Sequence, residues 1–131
     1  MTTWKAGMLI TAARLGDSAP TITSSGISMA TGFTLNDFTG YKVGHIVEIR
    51  VYAQRSGADI TATTGNIADT QICTLPSGWR PTSGTTQGFW GSGVEGGDFV
   101  CGTDGICTLR TASDNINTNA NIRLHLTFIQ D

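Results

Sequence analysis

The sequence predicts an all-β domain built from antiparallel strands, and three observations carry that prediction. In the stretch Tyr41 to Arg55, Val43, Val47, Ile49, Val51 and Ala53 occupy odd positions. Lys42, Glu48, Arg50 and Gln54 occupy even ones, with Ile46 and Tyr52 among them. Near the far end, Ile122, Leu124, Leu126 and Phe128 alternate with Arg123, His125 and Thr127. A period of two puts each set on its own face of an extended chain, where a helix would smear both around its circumference. Composition is the third observation: 17 glycines and 21 threonines stand beside only 14% charged residues, where about 25% is usual. Threonine suits strands and glycine suits tight turns.

Two long strands with one apolar face each need facing partners, which a sheet-on-sheet sandwich or a closed barrel supplies. At 131 residues and 13.8 kDa the chain is long enough for one self-sufficient core. The net charge is −2 and the eight basic residues are scattered singly, which argues against nucleic acid as a partner. No apolar run approaches the ~18 residues of a membrane helix. The N-terminus lacks the uninterrupted apolar core of a signal peptide. Cys73, Cys101 and Cys107 are too few for a disulfide framework, so synthesis in a reducing cytoplasm is expected.

Residues 1–25 read as an arm and a link, and residues 26–131 as the β domain. Lys5 to Leu15 is small and apolar without a clean period; a short strand, a helical turn and an arm docking on another subunit all fit it. Asp17 to Ser25 reads as loop. Ile27 to Thr31 is a weak strand, and Phe33 to Leu35 runs into the turn residues Asn36 and Asp37. Tyr41 to Arg55 then reads as one long strand, closed by the turn cluster Arg55 to Asp59. Thr61 to Asn66 is polar and β-prone, and Ile67 to Leu75 is the next strand.

Pro76 to Gly78 breaks the chain, and Trp79-Arg80-Pro81 reads as extended because Arg80, the residue before Pro81, is pushed out of the helical region. Thr82 to Thr86 is loop. Phe89 to Gly91 and Phe99 to Cys101 are short strands around the glycine-rich segment Ser92 to Asp98. Asp104-Gly105 between two β-prone runs marks a hairpin. A three-residue loop from Thr103 to Gly105 would set Cys101 opposite Cys107; a two-residue loop would not. Ala112 to Asn121 is a polar loop before the last strand.

The chemistry-bearing residues are sparse. The cysteines, His45 and His125 include no C-x-x-C or H-x-x-x-H pair, so no metal site is expected. Cys101 and Cys107 fit either a cross-strand disulfide or buried thiols. No G-x-S-x-G elbow is present, no catalytic residues are assigned, and no cofactor is expected. The best ligand-site candidate is the segment Phe89 to Asp98, where Trp90 offers a face for a sugar ring and Glu95 and Asp98 accept hydroxyl hydrogen bonds. The alternative is that Phe89 and Trp90 are core or subunit-contact residues. The polar faces of the long strands, with Glu48, Arg50, Arg123 and His125, fit cross-strand charge pairing, worth about 0.2–1 kcal/mol per pair, or a threefold subunit contact.

The element Leu75-Pro76-Ser77-Gly78-Trp79-Arg80-Pro81, followed by Thr103-Asp104-Gly105-Ile106-Cys107-Thr108-Leu109 and a final alternating strand, resembles the β-rich heads of minor tail and receptor-binding proteins of tailed bacteriophages. The opening Trp4 to Leu15 is similar to the start of small virion proteins of phages of actinobacteria. That resemblance implies a homotrimeric, jelly-roll-like β-sandwich in the virion, attached to other virion proteins through its arm and binding host cell-wall saccharide without catalysis. A capsid decoration or head-fibre protein with a purely structural role is the competing expectation. In either case Trp79 is expected to be architectural, closing one end of the domain.

Overall fold

The computed structural model describes Thr3, residues 5–9, Thr11 and residues 19–131. Residues 1, 2, 4, 10 and 12–18 of the N-terminal arm and link lie outside the described residues, and with them the docking role expected of that arm.

Nine strands follow one another without a helix among the described residues: β1 (Thr21–Thr23), β2 (Ser28–Met29), β3 (Phe33–Val43), β4 (Ile46–Arg55), β5 (Asn66–Thr74), β6 (Thr86–Gly91), β7 (Gly96–Cys101), β8 (Ile106–Thr111) and β9 (Asn121–Ile129). All pairings are antiparallel, and they join one sheet in the order β1-β3-β4-β9-β6-β7-β8-β5-β2. The sheet curls into a half-barrel. Its margins approach where the chain leaves β2 for β3: the Ala30 amide donates to Ile72 O at 2.9 Å, and the Phe33 amide donates to Ala30 O at 3.2 Å. Curvature gives each half-buried strand its facing partner, because one core cluster draws on β3 through β9 except for the short margins.

The stretch Tyr41 to Arg55, read as one strand, is a hairpin. A two-residue turn at Gly44 and His45 reverses the chain, with Val43 paired to Ile46. Gly44 has φ +58° while His45 stays at negative φ, the requirement of a turn whose first central residue is glycine. The turn changes a face: Val43 is exposed although it shares the parity of buried Val47. Asn36-Asp37, read as a turn, is instead a β-bulge inside β3, where the register slips between Leu35 and Asp37. One extra residue switches the inward positions from Phe33 and Leu35 to Phe38 and Gly40.

The link also differs from its reading as loop, since Thr21–Thr23 pairs with Gly40–Lys42. β7 starts three residues earlier than expected, so Gly96 to Asp98 is strand rather than loop. Cys101 does face Cys107, as the longer hairpin loop requires.

β4 and β9 pair over nine consecutive positions, from Ile46↔Ile129 to Gln54↔Asn121. Val47, Ile49, Val51 and Ala53 face inward against Ile122, Leu124, Leu126 and Phe128, all of them buried. Trp79 shuts one end. Its ring lies where a Cβ on Gly40 would come within 2.8 Å of it, Lys42 Nζ sits 4.7 Å above it, and Lys42 and Gln130 both donate to Gly78 O, at 2.5 and 3.2 Å.

Gly88 shows how tight the interior is. It faces Phe99 across β6 and β7, and a Cβ there would stand 2.5 Å from the Phe99 ring and 2.7 Å from the His125 carbonyl. Backbone cannot yield as a side-chain tip can, so Gly88→Ala is expected to destabilise the fold by about 1–3 kcal/mol. Urea unfolding monitored by tryptophan fluorescence measures this.

Candidate functional site

Side chains paired across antiparallel strands share a face, so the register fixes what the outside of the sheet displays. One row runs Thr39, Arg50, His125, Phe89, Asp98 across β3, β4, β9, β6 and β7. The next runs Asp37, Tyr52, Arg123, Gly91 across β3, β4, β9 and β6. On the other side lies Tyr41, Glu48, Thr127. Between the first two rows is an open hollow of about 250 Å³, lined by Asp37, Arg50, Tyr52, Arg123 and His125, with largely apolar walls. Val51 and Leu124 also line it; their side chains turn into the core, so they floor it with backbone. Gly91 leaves space beside Arg123 that a side chain would fill.

Charge on this face is arranged unevenly. Glu48 Oε1 accepts from Arg50 Nε at 2.5 Å and lies 3.3 Å from His125 Nε2. These contacts, the Arg50 hydrogen bond foremost, hold the Glu48 carboxyl below the usual carboxylate range against a smaller opposing effect of burial. Arg50 also lies 5.3 Å from the Tyr41 ring centroid. Arg123 has its guanidinium 4.7 Å from the Tyr52 centroid, and no carboxylate among the described residues is within ion-pair distance of it. Of the four residues expected to pair across strands, Glu48 meets His125 on the neighbouring strand, whereas its bond to Arg50 runs along β4 itself and Arg123 has no carboxylate partner among the described residues.

The three residues read as a ligand site part company. Trp90 faces inward and is 4% exposed, and its Nε1 donates to Thr111 O at 3.0 Å. Its ring is core and has no face open to a ligand, which corrects its assignment to the site. Phe89, for which core or subunit contact was the alternative to a ligand site, is 66% exposed on the outer row. Adjacent strand residues point to opposite faces, and the dipeptide alone does not say which ring is out. Glu95 is held in the β6–β7 turn, where its Oε2 accepts from Ser92 Oγ at 2.7 Å and its amide donates to that Oγ at 2.9 Å. Asp98 accepts from Gln87 Nε2 at 2.7 Å and sits beside Phe89 in the outer row. Asp98 and Phe89 thus belong with Arg50 and His125.

The cysteines form a second cluster, on the inside. Cys107 pairs with Cys73 on β5 and with Cys101 on β7, and all three are buried and free. Hydrogen bonding to its two neighbours and burial push the Cys107 thiol well up. No cluster of three or more His, Cys, Asp or Glu arranged to hold a metal occurs among the described residues. No protein-family model matches the chain, and no curated protein sequence matches it.

Glu48 supplies a pH prediction. A carboxyl whose folded pKa is lowered contributes stability that is present above its unfolded pKa and lost as pH falls through the folded value. Its partner Arg50 is largely exposed, so the contribution is small. Glu48→Gln is expected to cost up to about 1 kcal/mol near neutral pH and progressively less as pH falls through the folded value, reaching close to nothing once the carboxyl is protonated in both states. Paired urea titrations of wild type and variant at both ends check this.

Proposed function

We propose that the protein is a non-enzymatic attachment protein whose outer sheet face binds a saccharide. The observation that carries this reading is the pair of outward aromatic and polar rows on rigid strands that flank the hollow: Phe89 and the partly exposed Tyr52 offer ring surface, while Asp98, Asp37 and His125 offer hydrogen-bonding groups. Sugars present apolar C–H faces bordered by hydroxyls, and such a surface matches both. Strands hold these side chains more firmly than the glycine-rich loop would.

The resemblance of Leu75 to Pro81 and the hairpin that follows to phage tail heads supplies the setting. In this proposal the protein sits in a phage virion as a homotrimer, its curled sheet a variant of the jelly-roll sandwich that the resemblance implies, and binds host cell-wall saccharide weakly at each of three sites that combine through effective concentration. The exposed row Val43, Ile46, Ile129, at 41%, 56% and 72% exposure, supports a subunit contact at the other end of the same face. The same row supports the second reading, a capsid decoration protein held by apolar contact with no sugar site.

Phe89→Ala is expected to weaken binding to host cells or isolated wall saccharide by at least about tenfold, the share of one stacked ring, with an unchanged unfolding midpoint. Trp90→Ala is expected to cost about 3–5 kcal/mol of stability instead. Undiminished wall binding by a folded Phe89→Ala protein would contradict the assigned face.

A further inference from the structure

The charges around the hollow go further than a general saccharide site. We infer that the group recognised there is an anion carried on a sugar polymer, a carboxylate or a phosphodiester, with Arg123 as its principal ligand and Arg50 as the second. This rests on the saccharide-binding reading of the same face.

Arg123 carries the inference. A guanidinium offers a planar fork of donors that matches two oxygens of a carboxylate or phosphate. Here the fork is pre-positioned by its stacking on Tyr52 at 4.7 Å, no carboxylate among the described residues pairs with it, and Gly91 leaves the adjoining position open. Arg50 lines the same hollow from the neighbouring row, and its register partner His125 lines it too. Glu48 engages both through one oxygen, Oε1, and so acts as an internal competitor for any incoming anion. Asp37, the one carboxylate among the described residues that lines the hollow, is paired across the strands with Tyr52 rather than with either arginine; it can accept from sugar hydroxyls while the arginines take the anion. The chain as a whole is net negative, so general attraction of polyanions does not account for such binding.

The test is binding of the full chain to immobilised polygalacturonate, its carboxyl-reduced neutral counterpart, and poly(glycerol phosphate), with Arg123→Gln, Glu48→Gln and Arg110→Gln compared with wild type. Arg110 lies three strands from β9, on β8, and is paired with Asp69 at 3.0 Å, so it reports non-specific charge attraction. The inference expects at least one acidic polymer to bind and the neutral one to bind at least about tenfold more weakly. Arg123→Gln should lose about ten- to a hundredfold in affinity, the worth of charge-assisted hydrogen bonds. Glu48→Gln should bind more tightly, since Arg50 is released, and Arg110→Gln should match wild type. Preference for polygalacturonate or for the phosphodiester polymer identifies the source of the anion. Equal binding to neutral and acidic polymers overturns the anion and leaves the saccharide reading standing. Equal losses in Arg123→Gln and Arg110→Gln overturn the assigned site. If none of these polymers binds while whole host wall does, the anion is again overturned; if host wall fails too, the saccharide reading falls with it.

Discussion

The pairing of β4 with β9 is the constraint on which the rest of the structure depends. Nine consecutive residue pairs set four inward side chains of one strand against four of the other. Because side chains alternate with a period of two, a slip of β9 by one position against β4 would carry its whole apolar set outside and bring Arg123 and His125 into the core. Burying two such groups without full pairing is far more costly than any compensating contact. The register is therefore locked by what it would bury. Fixing the inner face in that way also fixes the outer one, and the candidate binding surface is a consequence of core packing.

From this central pair the sheet extends unevenly. β3 joins β4 through a two-residue turn, and its bulge adds twist where the sheet must curl. On the other side, β6 contributes Gly88 and Trp90 inward, the glycine admitting the Phe99 ring and the tryptophan reaching Thr111 O. The proline-framed corner from Pro76 to Pro81 caps one end: Trp79 fills the space over Gly40, and Arg80 Nε donates to Leu75 O at 2.7 Å in room left by Gly105. Small residues recur where another part of the chain closes in, which explains why so glycine-rich a sequence builds a well-filled interior.

Much of this was legible in the sequence because alternation is a direct readout of facing. The inward set of β4, the strand β9 and the hairpin at Asp104-Gly105 follow from local pattern, whereas the Cys101–Cys107 opposition was one of two outcomes that the loop length decides. What escaped has local causes too. Gly44-His45 is too short an interruption to break an apolar alternation that resumes at Val47, so the β3–β4 hairpin looked like one strand. The Asn36-Asp37 bulge carries turn-type residues inside a strand. The edge strand β1 has only three residues, Thr21–Thr23, and depends on β3 for its hydrogen bonds. At the candidate site, Asp98 was singled out for its chemistry, whereas which of Phe89 and Trp90 faces outward needed the register. The hollow itself is set by Asp37, Tyr52 and Arg123, which come from three strands and share no sequence neighbourhood.

Residue-resolved amide hydrogen exchange tests the organising role of β4 and β9 most directly. The account places their paired amides among the slowest to exchange, opening only with global unfolding, while the short margin strands β1 and β2 open first. Exchange of the β4 and β9 amides as fast as those of β1, with the slowest protection elsewhere, would contradict it.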